Sequence, residues 1–252
     1  PALTQTLGPW LRPSKAKYAN RLAEEKDLMM ELLNQMPPFD LFTQNFHHTI
    51  TNWLPFYWRG FTQTTRYTYI IEDLSDINKI WDCMLPNIRT DIKKAQNRYG
   101  IEVCTTLGID TFLHVNELTF IRQKKHLPYS KELVTRLDNA CAANNARKIF
   151  FGRDKDGRIH AAVYIIWDEN SAYYLMSGGD PELRNSGATS LCLWEAIKFA
   201  ATVTKRFDFE GSMLEPVERF FRAFGAKQIP YFALSKNNSR ISHLQQAAGM
   251  IK

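Results

Sequence analysis

Residues 148–176 read KIFFGRDKDGRIHAAVYIIWDENSAYYLM. Lys148 to Arg153 is an apolar run closed by a charge, the pattern of a strand with little room for a helix. Asp156-Gly157 is a strong hairpin signal, because a tight two-residue turn needs positive φ at its centre. Arg158 to Trp167 then reads as the return strand, Asp168 to Asn170 as a second turn, and Ser171 to Met176 as a third strand. The central sheet is therefore expected to hold Ile149–Phe151, Ile159–Ile166 and Ala172–Met176, with Phe207–Phe209 and Tyr231–Leu234 added further on.

Downstream, the loop SGGDPELRNSGATS (177–190) leads into an amphipathic helix from about Leu191 to Val203. The strand RFDFEGS (206–212) follows. A helix from Pro216 to Phe224 comes next, with proline in its first turn and Gly225 at its end. Upstream, Ser14 to Met36 reads as a helix capped by Ser14, and Arg66 to Ile71 as a strand. Ser75 caps a helix through Leu85 that Pro86 breaks, and Asn87 caps the next, which stops at Gly100. Ile101 to Thr106 is a short strand. Helices follow over Asp110 to Lys125 and Ser130 to Ala143, the latter with Leu133, Leu137, Ala140 and Cys141 inward.

The bulk composition narrows the classes. The chain has 252 residues, 44% apolar and 23% charged, which is ordinary for a soluble globular protein. No apolar run reaches the length of a bilayer span, and the amino terminus lacks the pattern of a secretory signal, so a cytoplasmic location is expected. The four cysteines are far apart, and the six histidines make no ligand pattern, so neither a metal nor a disulfide framework is expected. A net charge of +6 suits a polyanion: a cofactor pyrophosphate, tRNA or an anionic membrane surface.

The order of strands, loop and helix places free backbone N–H groups at a helix start, a ready anion site. The loop is Arg184-Asn185-Ser186-Gly187-Ala188-Thr189. Gly187 lets backbone approach a phosphate, Arg184 supplies charge, and Thr189 or Ser190 can cap the helix; an ordinary capped loop is the alternative. In RFDFEGS, Arg206, Asp208 and Glu210 alternate with Phe207 and Phe209, and three charges on one strand face are costly unless paired or facing a cleft. Glu210, beside Gly211 at the strand's end, is the first candidate for a catalytic carboxylate, and Asp208 the second; an Arg206–Asp208 pair stabilising the interior is the alternative. Gly178 and Gly179 either admit substrate to the backbone or make a plain turn. Trp58, in the cluster Trp53, Phe56, Tyr57, Trp58 and Phe61, is a candidate for lining an acceptor groove, with core packing the favoured use of the cluster. The cations Arg89, Lys93, Lys94 and Arg98 are favoured as a solvated helix face, with tRNA, a lipid-linked pyrophosphate or a membrane surface as alternatives.

The strand order and the Arg184–Thr189 loop resemble a GNAT acyltransferase, whose loop Gln/Arg-x-x-Gly-x-Gly/Ala holds the acyl-CoA pyrophosphate. Arg184, Gly187 and Ala188 match those types, and Thr189 stands where glycine or alanine is usual. More closely, TRYTYII (65–71), NIRTDIKKA (87–95), FDFEGS (207–212) and ERFFRAFGA (218–226) resemble the Fem-like branch. That branch includes the peptidoglycan bridge aminoacyltransferases and related acetyltransferases. The resemblance implies an α+β fold: a GNAT-like mixed, mostly antiparallel central sheet flanked by helices, with a partial second GNAT-like unit at the amino terminus. The boundaries implied are 1–66 for the partial, shortened unit, 67–236 for the acyltransferase unit and 237–252 for a carboxy-terminal tail. It also implies transfer of an acyl group from an acyl-CoA thioester to an amine on a small-molecule or lipid-linked cell-envelope sugar or peptide precursor. Two alternatives stay open: aminoacyl-tRNA as donor, and a non-catalytic GNAT-like binding module. Where tRNA-using members carry Phe-Lys, this chain has Phe220-Phe221, which favours the simpler acyl donor.

Overall fold

The computed structural model describes residues 3–239. Along the chain run α1 (Tyr18–Asn34), β1 (Leu41–Asn45), α2 (Leu54–Trp58), β2 (Thr62–Ile71), α3 (Ile77–Cys83), α4 (Pro86–Asn97), β3 (Glu102–Cys104) and α5 (Ile109–Arg122). Then follow α6 (Lys131–Ala143), β4 (Arg147–Arg153), β5 (Ile159–Trp167), β6 (Ser171–Gly179), α7 (Ala188–Ala200), β7 (Arg206–Asp208), α8 (Glu215–Ala223) and β8 (Lys227–Asn237). The chain divides into two units, one of Leu3–Tyr67 with the chain from Ile229 onward, the other Thr68–Gln228.

In the first unit β1 pairs antiparallel with β8, from Leu41 opposite Asn237 to Asn45 opposite Ala233. That pairing is why residues 229–236 group with the amino-terminal segment and not with residues 67–228, as the sequence reading had placed them. β8 also runs on through Asn237, where a tail was expected to begin, and residues 240–252 of that tail lie outside the described residues. The core is aromatic: Phe46, Phe56 and Phe61 are buried with Met29 and Leu234, and Phe56 meets Phe46 and Phe61 edge-on at 5.0 and 5.2 Å. Such tilted contacts are the favoured geometry for ring quadrupoles. α1 starts one turn later than the sequence suggests, because the Ser14 hydroxyl accepts the Ala16 N–H and leaves Lys17 at the cap without a side-chain bond.

The second unit has the strand order β2-β7-β6-β5-β4-β3. Its pairings are antiparallel except for β6 with β7. The β4–β5 hairpin turns where Asp156-Gly157 predicts it, with Gly157 at φ +82°. Asp154 fixes that turn by accepting the N–H groups of Asp156 (3.1 Å) and Arg158 (2.9 Å). One large core gathers Ile80, Met84, Ile88 and Ile92 from α3, α4 and their junction, Leu191, Leu193 and Ile197 from α7, and Phe221 from α8 against Tyr69, Val163, Ile165, Phe207 and Phe209 of the sheet and its edge.

Local chemistry moved several element starts. Asp76, not Ser75, caps α3, its carboxylate taking the N–H groups of Asn78 and Lys79 at 3.0 Å each. Pro86 opens α4 instead of ending a helix, since its missing N–H costs nothing in a first turn; Asn87 therefore lies inside the helix. Ser130 does cap α6. That helix, however, buries Val134 and Asp138, leaving Leu133, Leu137 and Cys141 half-buried and Ala140 exposed. The Tyr164 hydroxyl donates to Asp138 (2.9 Å) and Arg147 pairs with it (3.1 Å), so a bonded carboxylate sets the helix face.

α5 crosses β6 at backbone contact. A Cβ on Gly178 would stand 2.5 Å from the Asn116 Cα and N. Gly178→Ala should therefore push α5 outward and lower stability by about 1–3 kcal/mol, the usual cost of overpacking. Urea unfolding monitored by tryptophan fluorescence checks this; an unchanged midpoint would show that α5 is not held at that distance.

Candidate functional site

The parallel pair creates the site. Ser171, Ala172 and Tyr173 of β6 stand opposite Arg206, Phe207 and Asp208 of β7, and there β7 ends. β6 continues for six residues, 174–179, on the order of 20 Å of strand. α7 returns the chain from the far end of β6 to the start of β7. Beyond Asp208 the pairing therefore parts in a wedge, β6 running on without β7 beside it towards the amino end of α7. Crevices at the carboxyl ends of parallel strands are where sheets of this type take ligands.

A cleft of about 530 Å³ is lined by Arg184, Asn185, Gly187, Thr189 and Ser190, with Asp91 and Lys94 of α4 and Phe220 of α8. A 3-10 turn, Arg184–Ser186, precedes α7, and Gly187 is the cap residue at φ +84°. Neither Thr189 nor Ser190 caps the helix, as both lie inside it. Their N–H groups belong to the first turn, where no carbonyl of the helix can reach them, and so face an anion site. Ser186 and Ala188 are buried, the Ser186 hydroxyl accepting the Ala188 N–H (3.4 Å). A Cβ at Gly187 would collide with the Asp91 carbonyl, so the missing side chain admits α4.

At the end of β7 lie the two acidic candidates. Asp208 is 6% exposed; its Oδ1 accepts the Thr68 hydroxyl (2.5 Å) and the Glu210 N–H (2.8 Å). Arg206 is exposed, and Asp208 is held by these two donors and not by a cation. Glu210 takes φ +55° and Gly211 φ +63°, so the strand alternation stops at Phe209 and Glu210 does not share a regular face with Arg206 and Asp208. Burial raises the Asp208 carboxyl to about 6 against the pull of its two hydrogen bonds. Burial, and then the neighbouring Asp208 charge, raise Glu210 to about 8. Paired carboxyls with separated, raised values suit proton transfer near neutral pH.

The glycines Gly178 and Gly179 lie within β6, not in a turn after it. The space at Gly178 serves α5, and the neighbouring backbone is bonded to the same helix: Asn116 donates to the Ser177 carbonyl (2.6 Å), and Thr119 accepts the Gly179 N–H (3.1 Å). These groups point away from β5, so the far edge of β6 is already bonded. Trp58 lies in the first unit at the end of α2, 55% exposed, while Phe56 and Phe61 of its cluster are core. Of the basic face on α4, Arg89 donates to the Trp81 and Asp82 carbonyls and Lys94 pairs with Asp91 at 2.6 Å. Asp91, Lys94 and Phe220 were missed as site residues, although two of the quoted resemblance segments contain them. Among the described residues no group of three or more His, Cys, Asp or Glu could hold a metal ion, and no helix is long and apolar enough to cross a membrane.

The family model described as Acetyltransferase (GNAT) domain matches residues 85–222. No curated protein matches in sequence. Among solved structures, the fold is similar to FemX, at 12% identity and TM-score 0.67, over 94% of this chain and 81% of that one. It is also similar to L-PGS from Bacillus licheniformis, at 10% identity and TM-score 0.56, over 81% and 69% of the two chains. A tandem GNAT protein from the clavulanic acid biosynthesis pathway aligns at 11% identity and TM-score 0.51, over 90% and 72%.

The raised carboxyls have a consequence for stability. A group whose folded value exceeds its unfolded one stabilises fully below the unfolded value, about 4 for these acids, and loses that contribution as pH rises through the folded value. Stability should therefore decline between about pH 4 and pH 8 through Asp208 and Glu210. Glu210→Gln should flatten the upper part of that decline in urea titrations. Parallel pH profiles for parent and mutant would show that Glu210 ionises without cost.

Proposed function

Because the chain belongs to the GNAT acetyltransferase family, we propose that it moves an acyl group from the thioester of an acyl-CoA to an amine. The observation that carries this reading is the separation between the cationic cleft and the carboxyl pair. The cations and first-turn N–H groups line the cleft at the start of α7, and the carboxyl pair lies apart from them at the end of β7. A long, thin donor with an anionic end and a distant reactive carbonyl suits that spacing. Arg184 and the N–H groups of Thr189 and Ser190 bind the pyrophosphate, and Lys94 adds charge while its pair with Asp91 limits the net field.

Glu210 takes the proton. The attacking amine must be neutral, and a carboxyl raised to about 8 is a strong enough base to share an ammonium proton near physiological pH. The nitrogen lone pair then forms the new bond to the thioester carbonyl carbon, the C–S bond breaks, and a second proton lost from the nitrogen ends on the departing sulfur, which leaves as the thiol. The similarity in fold to FemX supports, as the acceptor, an amine on a cell-envelope sugar or peptide precursor, small or lipid-linked. Aminoacyl-tRNA is the weaker donor. Of the cations Arg89, Lys93, Lys94 and Arg98, Arg89 and Lys94 are bonded locally and Arg98 lies over the Tyr99 ring, and Phe220 lines the cleft where that donor's users carry Phe-Lys.

Two variants test the assignment with acetyl-CoA and a panel of amino sugars and lysine-containing peptides. Arg184→Ala should weaken acetyl-CoA binding by about ten- to a hundredfold, as for a lost charge-assisted contact, with little change in unfolding midpoint. Glu210→Gln should bind acetyl-CoA normally and lose turnover by about a hundred- to ten-thousandfold. Recovery of part of that loss at high pH is expected, because more acceptor amine is then neutral. Undiminished turnover in Glu210→Gln would remove the base, and equal affinity in Arg184→Ala would remove the donor loop.

A further inference from the structure

We propose that residues 7–18 form a docking surface for an anionic lipid bilayer, a property independent of the acyl-transfer reading. Leu7, Trp10 and Tyr18 enter the bilayer interface, and Arg12, Lys15 and Lys17 meet its headgroups. The placement of these cations gives nothing to the fold. Residues 1–23 hold Arg12, Lys15, Lys17 and Arg21 and no acidic residue. Arg12 and Lys15 precede α1, and Lys17 is its N-cap. That cap makes no side-chain hydrogen bond, and no acid lies in the first turn. The amino end of a helix carries partial positive charge, so cations there have the wrong sign for stability. An anionic surface reverses the penalty, because it attracts the cations and the free first-turn N–H groups together.

The segment is tied to the first unit, so it presents these groups on an anchored backbone. The Leu7 N–H donates to the Asn45 carbonyl (2.8 Å), and the His47 N–H donates to the Leu7 carbonyl (2.6 Å). Gly8 runs against the Phe46 ring, which a Cβ would approach to 3.2 Å, and Leu11 packs on the aromatic core. The Ser14 hydroxyl accepts the Ala16 N–H (3.2 Å) and donates to Glu24 (3.1 Å). With Leu11 turned to the core, Trp10 is left 79% exposed, and Tyr18 is 69% exposed. Arg12, Lys15 and Lys17 are exposed, and among the described residues none of them pairs with a carboxylate. Arg21 differs, since it pairs with Glu25 at 3.7 Å and lies over the Tyr18 ring.

Tryptophan and tyrosine beside basic residues suit the level of the headgroups, where one end of each ring is apolar and the other wet. A polynucleotide is the other polyanion of matching charge. Between Leu7 and Tyr18 the one neutral polar side chain besides the tyrosine is Ser14, whose hydroxyl is engaged, so nothing there reads a base edge. Exposed Leu7 and Trp10 gain instead from an apolar interface. Beyond Lys17, α1 carries Glu24, Glu25, Asp27 and Glu31 against Arg21 and Lys26. The body of the helix is thus repelled by the same surface, and contact is confined to its amino end.

Sedimentation with vesicles tests the surface. The chain should bind vesicles of phosphatidylglycerol and phosphatidylcholine and leave vesicles of phosphatidylcholine alone unbound, and added salt should weaken the binding. The triple variant Arg12→Ala, Lys15→Ala, Lys17→Ala should bind the anionic vesicles about a hundredfold more weakly, at roughly fivefold per cation. Trp10→Ala should bind them about tenfold more weakly, as for a large apolar side chain partly withdrawn from water. The triple variant should unfold at the parental urea midpoint or above it, because cations of the wrong sign for the helix have been removed. It should also keep the parental turnover of acetyl-CoA with a soluble amine, so a failed docking surface and a failed reaction are read separately. Equal binding to both kinds of vesicle, or binding to neither, would overturn the proposal. Parental vesicle binding by the triple variant would place the contact elsewhere and overturn it as well. Binding of bulk transfer RNA that the triple variant loses, with no binding to anionic vesicles, would make the partner a nucleic acid and the proposal wrong.

Discussion

The parallel pairing of β6 with β7 lasts for three residues, and the site depends on that brevity. A longer ladder would close the sheet over the space that a donor must enter. A shorter one would not hold Asp208 beside Tyr173 at the base of the wedge. β7 stops because the chain turns left-handed at Glu210 and Gly211, directly after Phe209 is bonded to β2. The strand's end and the candidate base are thus one structural event. The crossover through α7 supplies the other half, since a helix that returns to a parallel strand brings its amino end to the strands' carboxyl side.

Around this wedge the packing is tight at the points where helices meet. Gly187 and Gly178 each let a helix approach the backbone, α4 in the first case and α5 in the second. The amino end of α7 is therefore located by α4, and the far edge of β6 by α5 through Asn116 and Thr119. Asn116 is itself oriented by the Tyr129 hydroxyl (2.7 Å), so the α5 contact is a bonded one. The ligand-facing groups sit on helix and strand ends fixed by these contacts, which is the arrangement that preorganised binding requires.

Much of this was legible in the chain. The strands β4, β5 and β6 followed from two apolar runs, an Asp-Gly turn and a third run, because alternation and turn chemistry are local. The loop before α7 was legible for the same reason, and Asp208 and Glu210 stand out as charges in an apolar segment. What the sequence hid was set by distant partners. Asp91 and Lys94 enter the cleft from a helix some ninety residues upstream of Arg184, and no local pattern announces that approach. The inward face of α6 depended on a bond from Asp138 to Tyr164, so an aspartate took a place that apolar spacing assigns to leucine. Gly178 and Gly179 were ambiguous by nature, since a glycine pair signals a turn, a substrate approach or a helix crossing equally well; the crossing of α5 is seen at Gly178. Glu210 was found for its charge and position, but the regular alternation used to find it ends one residue earlier.

The account stands or falls on where the donor lies. A crystal structure determined after soaking with coenzyme A locates the pyrophosphate directly. The account predicts it on the N–H groups of Thr189 and Ser190 with Arg184 in contact, and the pantetheine arm running into the wedge between β6 and β7 towards Glu210. Coenzyme A ordered elsewhere on the protein, or its pyrophosphate at the cleft with the thiol directed away from Glu210, would contradict it.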